Sequence, residues 1–576
     1  MDCQDVIPSA FVPRRLKVVV IGAGISGIQF AHDITTRMSD IDLEIYEKNP
    51  KVGGTWYENR YPGCACDVPA HGYQYSWAPN PCWSKTYAPA HEIHAYLESV
   101  VDKHDLRKFF RFNQRCVSAV WSEERAQWTT TFRDERSDEE AVVRSDVLIY
   151  AVGRLNDYQT PSFEGRDKFK GQVFHTARWP EDVDVRGKRI AVLGNGASGI
   201  QCVAGIRDEA GEVLNFAAHP TWLGPEPFIE NREYDEQEKL KFRRNPQAYH
   251  DFRMDIEKVM LPAFAFLWKD TSPSKSLRSR AESYVESKVE DPELQQKLTP
   301  DYTPGCRRWT PGEQYLTAVQ QPHVHLIEDH VAALTENGIR TDKGDEYECD
   351  MVVCATGFSL YNPRVPVVGR NGITLSDCWG SDGPCESYLA AMVAHFPNFY
   401  AFHPPNCPIN GSAFPGIERT ADYMIRVIHR LQTDCLRSVS VRPEAQRDFN
   451  KWVQSQMSSM VWSDSCNSWY GKIIIPWPGT TTHYYAATEI IRWEDFDLMF
   501  EDPAQRYMSF GNGVTKDGFK PESIPGLDYN GDALIDYSSM KTRCICSIKK
   551  KKKHIIRPHS LPGRRTPFQS FIFKIV

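Results

Sequence analysis

Two adjacent arginines, Arg307 and Arg308, are candidates for chemistry in this 576-residue sequence. They lie in a proline- and glycine-rich loop, flanked by Cys306 and Trp309. Most such pairs form a solvated surface patch, but an ordered guanidinium holds a permanent positive charge against a phosphate or a reaction centre. The acid Asp67 ends another glycine- and aromatic-rich segment, either as a turn residue or as a charged group beside a ligand. The elements that position these residues decide between the alternatives.

The first of two glycine signatures has every part of a dinucleotide-binding unit. An apolar strand over 16–21 leads into Gly22-Ala-Gly24-Ile-Ser-Gly27 and an apolar-periodic helix, and the next strand ends in Glu47, twenty residues after Gly27. Glycines let the backbone approach a pyrophosphate at the helix N-terminus, and the acid accepts hydrogen bonds from a ribose diol. Strand, helix, second strand and acid together are far more specific than the glycines alone.

A second signature begins after a strand over 188–193, with Gly194-Asn-Gly196-Ala-Ser-Gly199. The strand that follows ends in Ala217-Ala218-His219, without an acid. The missing carboxylate removes repulsion against a 2′-phosphate and therefore favours NADPH over NADH. A basic residue that would bind this phosphate is absent from the same position.

The segment Phe169–Pro180 lies between the two signatures. Gly171 allows a tight turn, His175 and Thr176 offer polar atoms, and Trp179-Pro180 forms a rigid amphipathic end. By composition alone it is an ordinary interdomain connection. Its place between two nucleotide sites makes it informative.

Residues 51–67 are rich in glycine and aromatic side chains. Gly53 and Gly54 permit close contact with a cofactor. Trp56, Tyr57 and Tyr61 supply flat surfaces for a conjugated ring. Placed at the end of this segment, Asp67 would be an acid beside a bound flavin.

Composition excludes several classes of function. Hydrophobic residues make up 41% and charged residues 25% of the chain, as in globular proteins. The net charge of −7 argues against nucleic acid as the main partner. We see no signal peptide and no apolar run long enough to cross a bilayer, and we predict a cytoplasmic protein. Its 16 cysteines are then expected to be reduced, and none has the spacing of a metal site.

The order of elements predicts an α/β fold with two Rossmann-like dinucleotide-binding domains. The first domain comprises residues 16–160 and 331–535, and the second comprises 161–330. Charged, helix-forming residues at about 226–300 indicate a helical insertion in the second domain. Pro292 is expected to end the last helix of this insertion.

The two ends of the chain differ from the rest. Residues 1–15 are predicted to be a disordered lead. Residues 536–576 form a basic tail with five consecutive lysines at Lys549–Lys553. We predict that the tail is unstructured, with a basic interaction segment or a membrane-surface segment as the alternatives.

Taken together, these motifs resemble the class B flavoprotein monooxygenases, specifically Baeyer–Villiger monooxygenases of the fungal type. Residues 169–180 match the family pattern FxGxxxHTxxWP at every fixed position, whereas N- and S-oxygenating relatives carry a looser form without Trp-Pro. The resemblance covers roughly residues 16–500. Further matches are GGTW…NRYPG…CD at Gly53–Asp67, CRR at Cys306–Arg308, ATG at Ala355–Gly357 and SWY at Ser468–Tyr470.

This resemblance implies a mechanism. NADPH bound in the second domain reduces FAD bound in the first, and reduced flavin with O2 forms a peroxide that attacks a ketone to give an ester or lactone. Arg308 is the implied cation for the peroxide anion, and Asp67 the acid that keeps this arginine over the flavin. A bulky polyketide, terpenoid or steroid-like ketone of fungal secondary metabolism is the expected substrate.

The same resemblance assigns the cofactor contacts. His175 of the fingerprint is expected to act structurally or as a hinge that couples the domains. For FAD the residues are Gly22, Gly24, Gly27, Glu47, Gly54, Thr55, Trp56, Asp67 and Tyr73. For NADP they are Ala65, Cys66, Gly194, Gly196, Ala197, Ser198, Gly199, Ile200, Gln201, Arg307, Arg308 and Trp469. The fingerprint residues are Phe169, Gly171, His175, Thr176, Trp179 and Pro180.

Two sites depart from the family pattern. Ala218-His219 replaces the usual Arg-Thr or Arg-Ser pair, which leaves the 2′-phosphate mainly to Arg307 and predicts a weaker preference for NADPH. Pro404-Pro405-Asn406 replaces the usual Gly-Pro-Asn near the flavin, which alters the backbone contacts expected there.

Three other functions are compared with this one, and the sequence argues against the second. An N- or S-oxygenating flavin monooxygenase would use the same cofactors on a soft nucleophile. A flavin-linked dithiol reductase would need CxxC, but the chain has Cys64-Ala-Cys66. A non-catalytic flavoprotein is the third alternative.

Overall fold

The computed structural model contains two five-stranded parallel sheets. In each sheet, one strand leads directly into a glycine signature. The structure describes residues 10–515 except 225–228, 361, 381–382, 465 and 467–475. The predicted basic tail 536–576 lies outside the described residues, as do residues 1–9 of the predicted lead.

The first sheet is buried on both faces, as its apolar strands predict. Val18 and Val20 pack with the helices Ile25–Arg37 and Ala413–Thr433 on one face, because alternate side chains of a strand point to opposite sides. Val19 packs on the other face against a four-stranded sheet that contributes tryptophans and phenylalanines. The parallel strands, in spatial order, are Phe399–Ala401, Val147–Tyr150, Leu16–Ile21, Ile41–Tyr46 and Phe110–Arg111. The covering strands are Val367–Val368, Gln114–Ser122, Gln127–Asp134 and Glu140–Ser145.

The second sheet corrects one predicted domain boundary. The strand Met351–Cys354 pairs in parallel with both Arg189–Leu193 and Gln172–His175. It therefore belongs to the second sheet, and the boundary predicted at residue 330 is wrong. A buried apolar strand carries no local signal for which of two similar sheets it joins. The strands, in spatial order, are Val324–Ile327, Glu212–Phe216, Arg189–Leu193, Met351–Cys354 and Gln172–His175.

Four α-helices lie in the described part of the predicted insertion, and Pro292 does not end any of them. It is the first residue of the helix Pro292–Leu298, whose preceding Asp291 accepts a hydrogen bond from the Glu293 amide at 2.9 Å. Proline is favoured at this position because the first helical amide has no partner within the helix. The four helices are Glu236–Arg244, Pro246–Met260, Ser272–Lys288 and Pro292–Leu298.

The chain crosses between the two sheets twice, and the crossings lie side by side. The strand Asp157–Tyr158 of the first crossing pairs antiparallel with Phe358–Ser359 of the second. Other helices are Thr55–Glu58, Ala90–Lys103, Ala197–Ile206, Glu313–Ala318, Leu375–Trp379, Pro443–Met457 and Thr481–Ala487. Other strands are Leu223–Gly224, Thr310–Pro311, Val331–Leu334, Gly338–Thr341, Glu346–Glu348, Leu436–Val441 and Phe496–Phe500.

Within the described ranges, no helix has both the length and the apolar character needed to span a bilayer. The cytoplasmic location remains a prediction.

We expect Gly171→Ala to destabilise the second sheet. A Cβ at this position would collide with the carbonyl oxygen of Asp350 and with the Phe169 ring. Overpacking of this kind costs about 1–3 kcal/mol. The thermal midpoint of unfolding should fall accordingly, while the control Gly196→Ala, which has no atom within 4 Å of its Cβ position, should change it little. Equal midpoints for the two variants would contradict this packing.

Candidate active site

A cavity of about 970 Å³ lies at the carboxyl ends of the two sheets and is lined by both glycine loops. This is the edge at which open parallel sheets bind nucleotides, and the volume is in the range of cofactor sites. Arg307 and Arg308 line the same cavity as Asp67. The residues predicted from two distant parts of the sequence therefore meet at one site.

The two glycine loops have the same backbone geometry. Gly22 and Gly194 have φ angles of +106° and +115°, and a Cβ at either would lie 2.5 Å from a carbonyl oxygen, that of Ala151 or Ala355. Only glycine is tolerated at such positions. Three predicted contact residues do not line the cavity: Gly27 and Gly199 pack behind the loops, and Ile200 is buried in the core.

The Glu47 carboxylate is hydrogen-bonded to the first glycine loop and to the turn after its own strand. It accepts a hydrogen bond from the Ala23 amide at 2.8 Å and one from the Asn49 amide at 2.9 Å. Burial raises the pKa of Glu47, and these backbone bonds oppose the rise. The side chain still lines the cavity, and a carboxylate has about four acceptor positions, so capacity remains for a ribose hydroxyl.

One of the three predicted aromatic surfaces faces elsewhere. Trp56 lines the cavity and its indole N–H donates to the Tyr73 hydroxyl at 3.3 Å. Tyr61 also lines the cavity, but Tyr57 instead lies beside His94, with ring centres 5.6 Å apart. Consecutive residues of the helix Thr55–Glu58 point about 100° apart, so Trp56 and Tyr57 cannot share a face.

The loop that carries Asp67 is docked on the second glycine helix. The Tyr61 hydroxyl donates to Gln201 Oε1 at 2.8 Å, and Gln201 Nε2 donates to the Ala65 carbonyl at 3.1 Å. A Cβ on Gly63 would collide with the backbone carbonyl of Gln201. This close contact brings Ala65, Cys66 and Asp67 to the cavity wall.

Asp67 and Arg308 form a two-bond ion pair. Arg308 Nε donates to Asp67 Oδ2 at 2.5 Å and Nη2 donates to Oδ1 at 2.6 Å. The side chains are 22% and 37% exposed, respectively. Parallel bonds of this kind fix the plane of the guanidinium as well as its position. The pair thus holds a permanent positive charge at the cavity wall.

Arg307 has a different environment. Its guanidinium lies 5.0 Å from the centre of the Tyr302 ring, and its Nε is buried without a hydrogen-bond partner among the described residues. Among the residues that the structure describes, no carboxylate forms an ion pair with it. A cavity-lining cation without an acid partner fits an anionic ligand group such as a phosphate.

Ala218 and His219 line the cavity, as the second signature predicts. The His219 ring lies 5.7 Å from that of His330, which follows the neighbouring strand. Sequence reasoning missed Asn195, whose Oδ1 is buried without a hydrogen-bond partner within the described chain. Its position between Gly194 and Gly196 was the available signal.

The fingerprint lies outside the cavity, at the crossings between the sheets. His175 is 2% exposed, its Nδ1 accepts a hydrogen bond from the Ala177 amide at 3.0 Å, and burial lowers its pKa to about 4. Its ring stacks on Tyr158 at 5.0 Å and meets Phe358 at 5.8 Å. His175 thus contacts both crossing strands, which is the arrangement a coupling role requires. None of Phe169, Gly171, His175, Thr176, Trp179 and Pro180 lines the cavity of the described residues.

Two ion pairs join the fingerprint region to the first glycine unit. Arg178 lies 3.5 Å from Glu58 Oε1, and Arg60 donates to Glu181 at 2.6 Å. Arg178 occupies a variable position of the pattern, so the pattern does not select it. Trp179 packs edge-on against Phe174 at 5.1 Å.

Two further predictions have different outcomes. Cys306 and Cys466 form a disulfide with Cα atoms 6.3 Å apart, so the prediction that all cysteines are reduced is wrong at this pair. The two lie 160 residues apart, and no spacing rule relates them. Trp469 and the SWY motif lie outside the described residues.

Pro404-Pro405-Asn406 does not line the cavity of the described residues, although His403 and Pro408 do. Asn406 is 1% exposed and donates to Asn450 Oδ1 at 2.7 Å. The departure therefore lies behind the cavity wall, between the lining residues His403 and Pro408.

Comparison with known sequences identifies relatives over most of the chain. A sequence profile described as flavin-binding monooxygenase-like matches residues 15–228. The FAD-binding monooxygenase tazF of Aspergillus terreus is 36% identical over 526 residues, which cover 87% of this chain and 92% of the relative. A Baeyer–Villiger monooxygenase of Pseudomonas aeruginosa is 33% identical over 490 residues, covering 84% and 91%.

Solved structures are similar over the same length. Cyclohexanone monooxygenase from Rhodococcus sp. Phi1, bound to NADP+, has a TM-score of 0.75 and 26% identity, covering 85% of this chain and all of that one. An oxidized steroid monooxygenase bound to NADP has a TM-score of 0.74 and 29% identity, covering 84% of this chain and all of that one.

Acid should destabilise the fold through its buried neutral histidines. Burial lowers the pKa of His175 to about 4, below about 6.5 in an unfolded chain. The resulting stability is present above pH 6.5 and is lost as the pH falls toward 4. In His175→Asn, Oδ1 can replace Nδ1 as acceptor and no charge develops, so the thermal midpoint should fall less steeply from pH 7 to 5. Identical slopes for variant and parent would contradict this.

Proposed function

Because the chain belongs to the flavin-binding monooxygenases and, among them, to the Baeyer–Villiger type, we propose that it oxidises a bulky ketone of fungal secondary metabolism, with Arg308 as the fixed cation. It is an NADPH-dependent FAD monooxygenase that inserts one oxygen atom of O2 beside a carbonyl. The expected substrate is a polyketide, terpenoid or steroid-like ketone, and the product is an ester or lactone.

The first glycine unit is assigned to FAD. When bound, FAD supplies the electron transfer from NADPH and the activation of O2. The strict glycine geometry at Gly22 and the open position at Glu47 support this assignment. The residues that would hold it are Gly22, Gly24, Glu47, Gly54, Thr55, Trp56, Asp67 and Tyr73, with Gly27 packed behind the loop.

The second unit is assigned to NADPH. Arg307, which lines the cavity with His219 and has no acid partner in the described part of the chain, supports a phosphate contact there. The residues that would hold it are Ala65, Cys66, Gly194, Gly196, Ala197, Ser198, Gln201, Arg307 and Arg308. Gly199 and Ile200 shape the helix from behind, and Trp469 is retained from the family resemblance.

The Arg308–Asp67 ion pair is the observation that carries the proposal. Ketone oxygenation develops negative charge on oxygen beside the flavin, and a fixed cation stabilises this charge without reorganising. Arginine does not lose its proton in proteins, so its charge persists at all working pH values. Asp67 fixes the guanidinium through two bonds, which limits its motion. The pairing therefore positions the positive charge before the reaction begins.

We expect Arg308→Ala to separate the two halves of the reaction. NADPH should still reduce the flavin, whereas oxygenated product should fall by about 10²–10³-fold, the usual effect of losing one electrostatic contact. Flavin absorbance follows the first half, and product and hydrogen peroxide report the second. The matched control Arg186→Ala removes an exposed arginine that pairs with nearby Asp184. Ordinary product yield from Arg308→Ala would refute the assignment.

A substrate panel tests the reaction class directly. The unmodified enzyme should convert cyclic and steroid-like ketones in preference to amines and sulfides. Preferential oxidation of amines or sulfides would instead identify an N- or S-oxygenating monooxygenase. The absence of any NADPH-dependent flavin reduction would identify a non-catalytic flavoprotein.

Arg307→Ala should weaken the preference for NADPH. A charge-assisted hydrogen bond contributes about 1.5–3 kcal/mol, so binding of 2′,5′-ADP should weaken by about 10–100-fold. Binding of 5′-ADP, which lacks the 2′-phosphate, should change much less. Arg307→Lys keeps the charge and should recover part of the loss. A large preference of the unmodified enzyme for NADH would overturn the cofactor assignment.

A further inference from the structure

The arginine loop, defined as residues 303–310, is attached to Asp464 by hydrogen bonds and to Cys466 by a covalent bond. The backbone amide of Thr303 donates to Asp464 Oδ2 at 3.3 Å, and the Thr303 hydroxyl donates to the same oxygen. Three residues later, Cys306 is joined to Cys466 by the disulfide. Both attachments are to residues far away in the sequence and close together in space.

Apolar packing supports the same attachment. Gly305 has a φ of +90°, and a Cβ there would lie 3.0 Å from the Leu267 side chain and 3.3 Å from that of Val461. Val461 belongs to a buried cluster at the end of the helix Pro443–Met457. The loop backbone thus packs closely on this cluster, and the φ of Gly305 favours glycine.

We propose that Asp464 and the Cys306–Cys466 disulfide are positioning groups for Arg307 and Arg308, and that opening the disulfide lowers the efficiency of oxygenation. This inference rests on the proposed roles of the two arginines. Cys306 is bonded directly to Arg307, so a displacement of the cysteine moves both cations. Misplacement of a reacting group by about 1 Å can cost on the order of 10²-fold in rate.

Opening the disulfide requires a two-electron reductant, and a dithiol supplies the electrons. One dithiol sulfur attacks a cystine sulfur and forms a mixed disulfide, and the second closes a cyclic disulfide. Cys306 and Cys466 each gain one electron and one proton and become thiols. Cys306 is 0% exposed while Cys466 is half-buried, so Cys466 is the more exposed residue of the pair.

Other cysteines near the cavity interfere little with this chemistry. Burial raises the pKa of the Cys64 and Cys66 thiols to about 12, which keeps them protonated and weakly nucleophilic. A response to dithiol that disappears in Cys466→Ser can therefore be attributed to the disulfide.

The full-length holoenzyme is isolated without reductant and compared before and after treatment with dithiothreitol. Peptide mass spectrometry after alkylation should detect the Cys306–Cys466 cross-link before treatment only. The dissociation constant of NADP+ should rise by about 10-fold on reduction, and the ratio of ketone product to NADPH consumed should fall. Cys466→Ser should show both changes without reductant and no further response to it.

Matched variants separate positioning from general stability. Cys435→Ser, which removes a free cysteine, should keep the response to dithiothreitol of the parent enzyme. Asp464→Ala should raise the NADP+ dissociation constant, and Asp464→Asn, which keeps one acceptor oxygen, should recover much of the loss. The thermal midpoint is measured for each.

Three results would overturn the inference. The first is the absence of the cross-linked peptide. The second is that NADP+ binding and the product ratio do not change after complete reduction. The third is a lower thermal midpoint in the variants with NADP+ binding and the product ratio unchanged. Failure of the proposed function is a different outcome, because it appears as normal product from Arg308→Ala. NADP+ binding and the cross-link are measured without any ketone, so they remain informative in that case.

Discussion

The ion pair between Asp67 and Arg308 joins two residues 241 positions apart, and the geometry of the cavity depends on it. Each partner lies in a loop that is fixed from behind. Asp67 follows a loop that packs on the helix Ala197–Ile206 through Gly63 and Gln201. Arg308 follows a loop held at Thr303 and Cys306. Because both loops are attached in this way, the two bonds of the pair place a charge at a defined point of the cavity wall.

Sequence patterns predict those parts of the fold and site in which a residue acts through its own backbone or through its near neighbours in the chain. The loops at Gly22 and Gly194 need positive φ angles, so their motifs identified both sheets and one wall of the cavity. The ion pair at Arg308 was accessible only through family resemblance, because nothing local relates it to Asp67. Pairing of Cys306 with Cys466 had no signal of either kind, since it depends on tertiary proximity. The prediction for Pro292 is wrong because proline has two opposite effects on helices. It interrupts a helix when it lies in the interior, but it is favoured at the first position, where Pro292 lies.

The fingerprint illustrates that a diagnostic pattern need not belong to the reacting site. His175 and its neighbours are buried beside Tyr158 and Phe358, outside the cavity, while Phe358 itself lines the cavity wall. The pattern therefore constrains how the two nucleotide units are joined. The ion pair between Arg178 and Glu58 lies at this junction and links the two units electrostatically. In the proposed assignment NADPH and FAD are held by different sheets, so their approach depends on this junction.

Because the two crossing strands are adjacent, the second nucleotide unit is inserted into the first as a continuous segment of the chain. Since Tyr158 and Phe358 are paired partners, the segment between them starts and finishes at one place on its host. A unit with neighbouring ends can be exchanged during evolution, or by recombination in the laboratory, without rethreading the host chain. The surface that must be conserved in such an exchange includes the contact of Tyr249 with His71, at 2.9 Å. Nucleotide preference could thus be inherited separately from flavin binding.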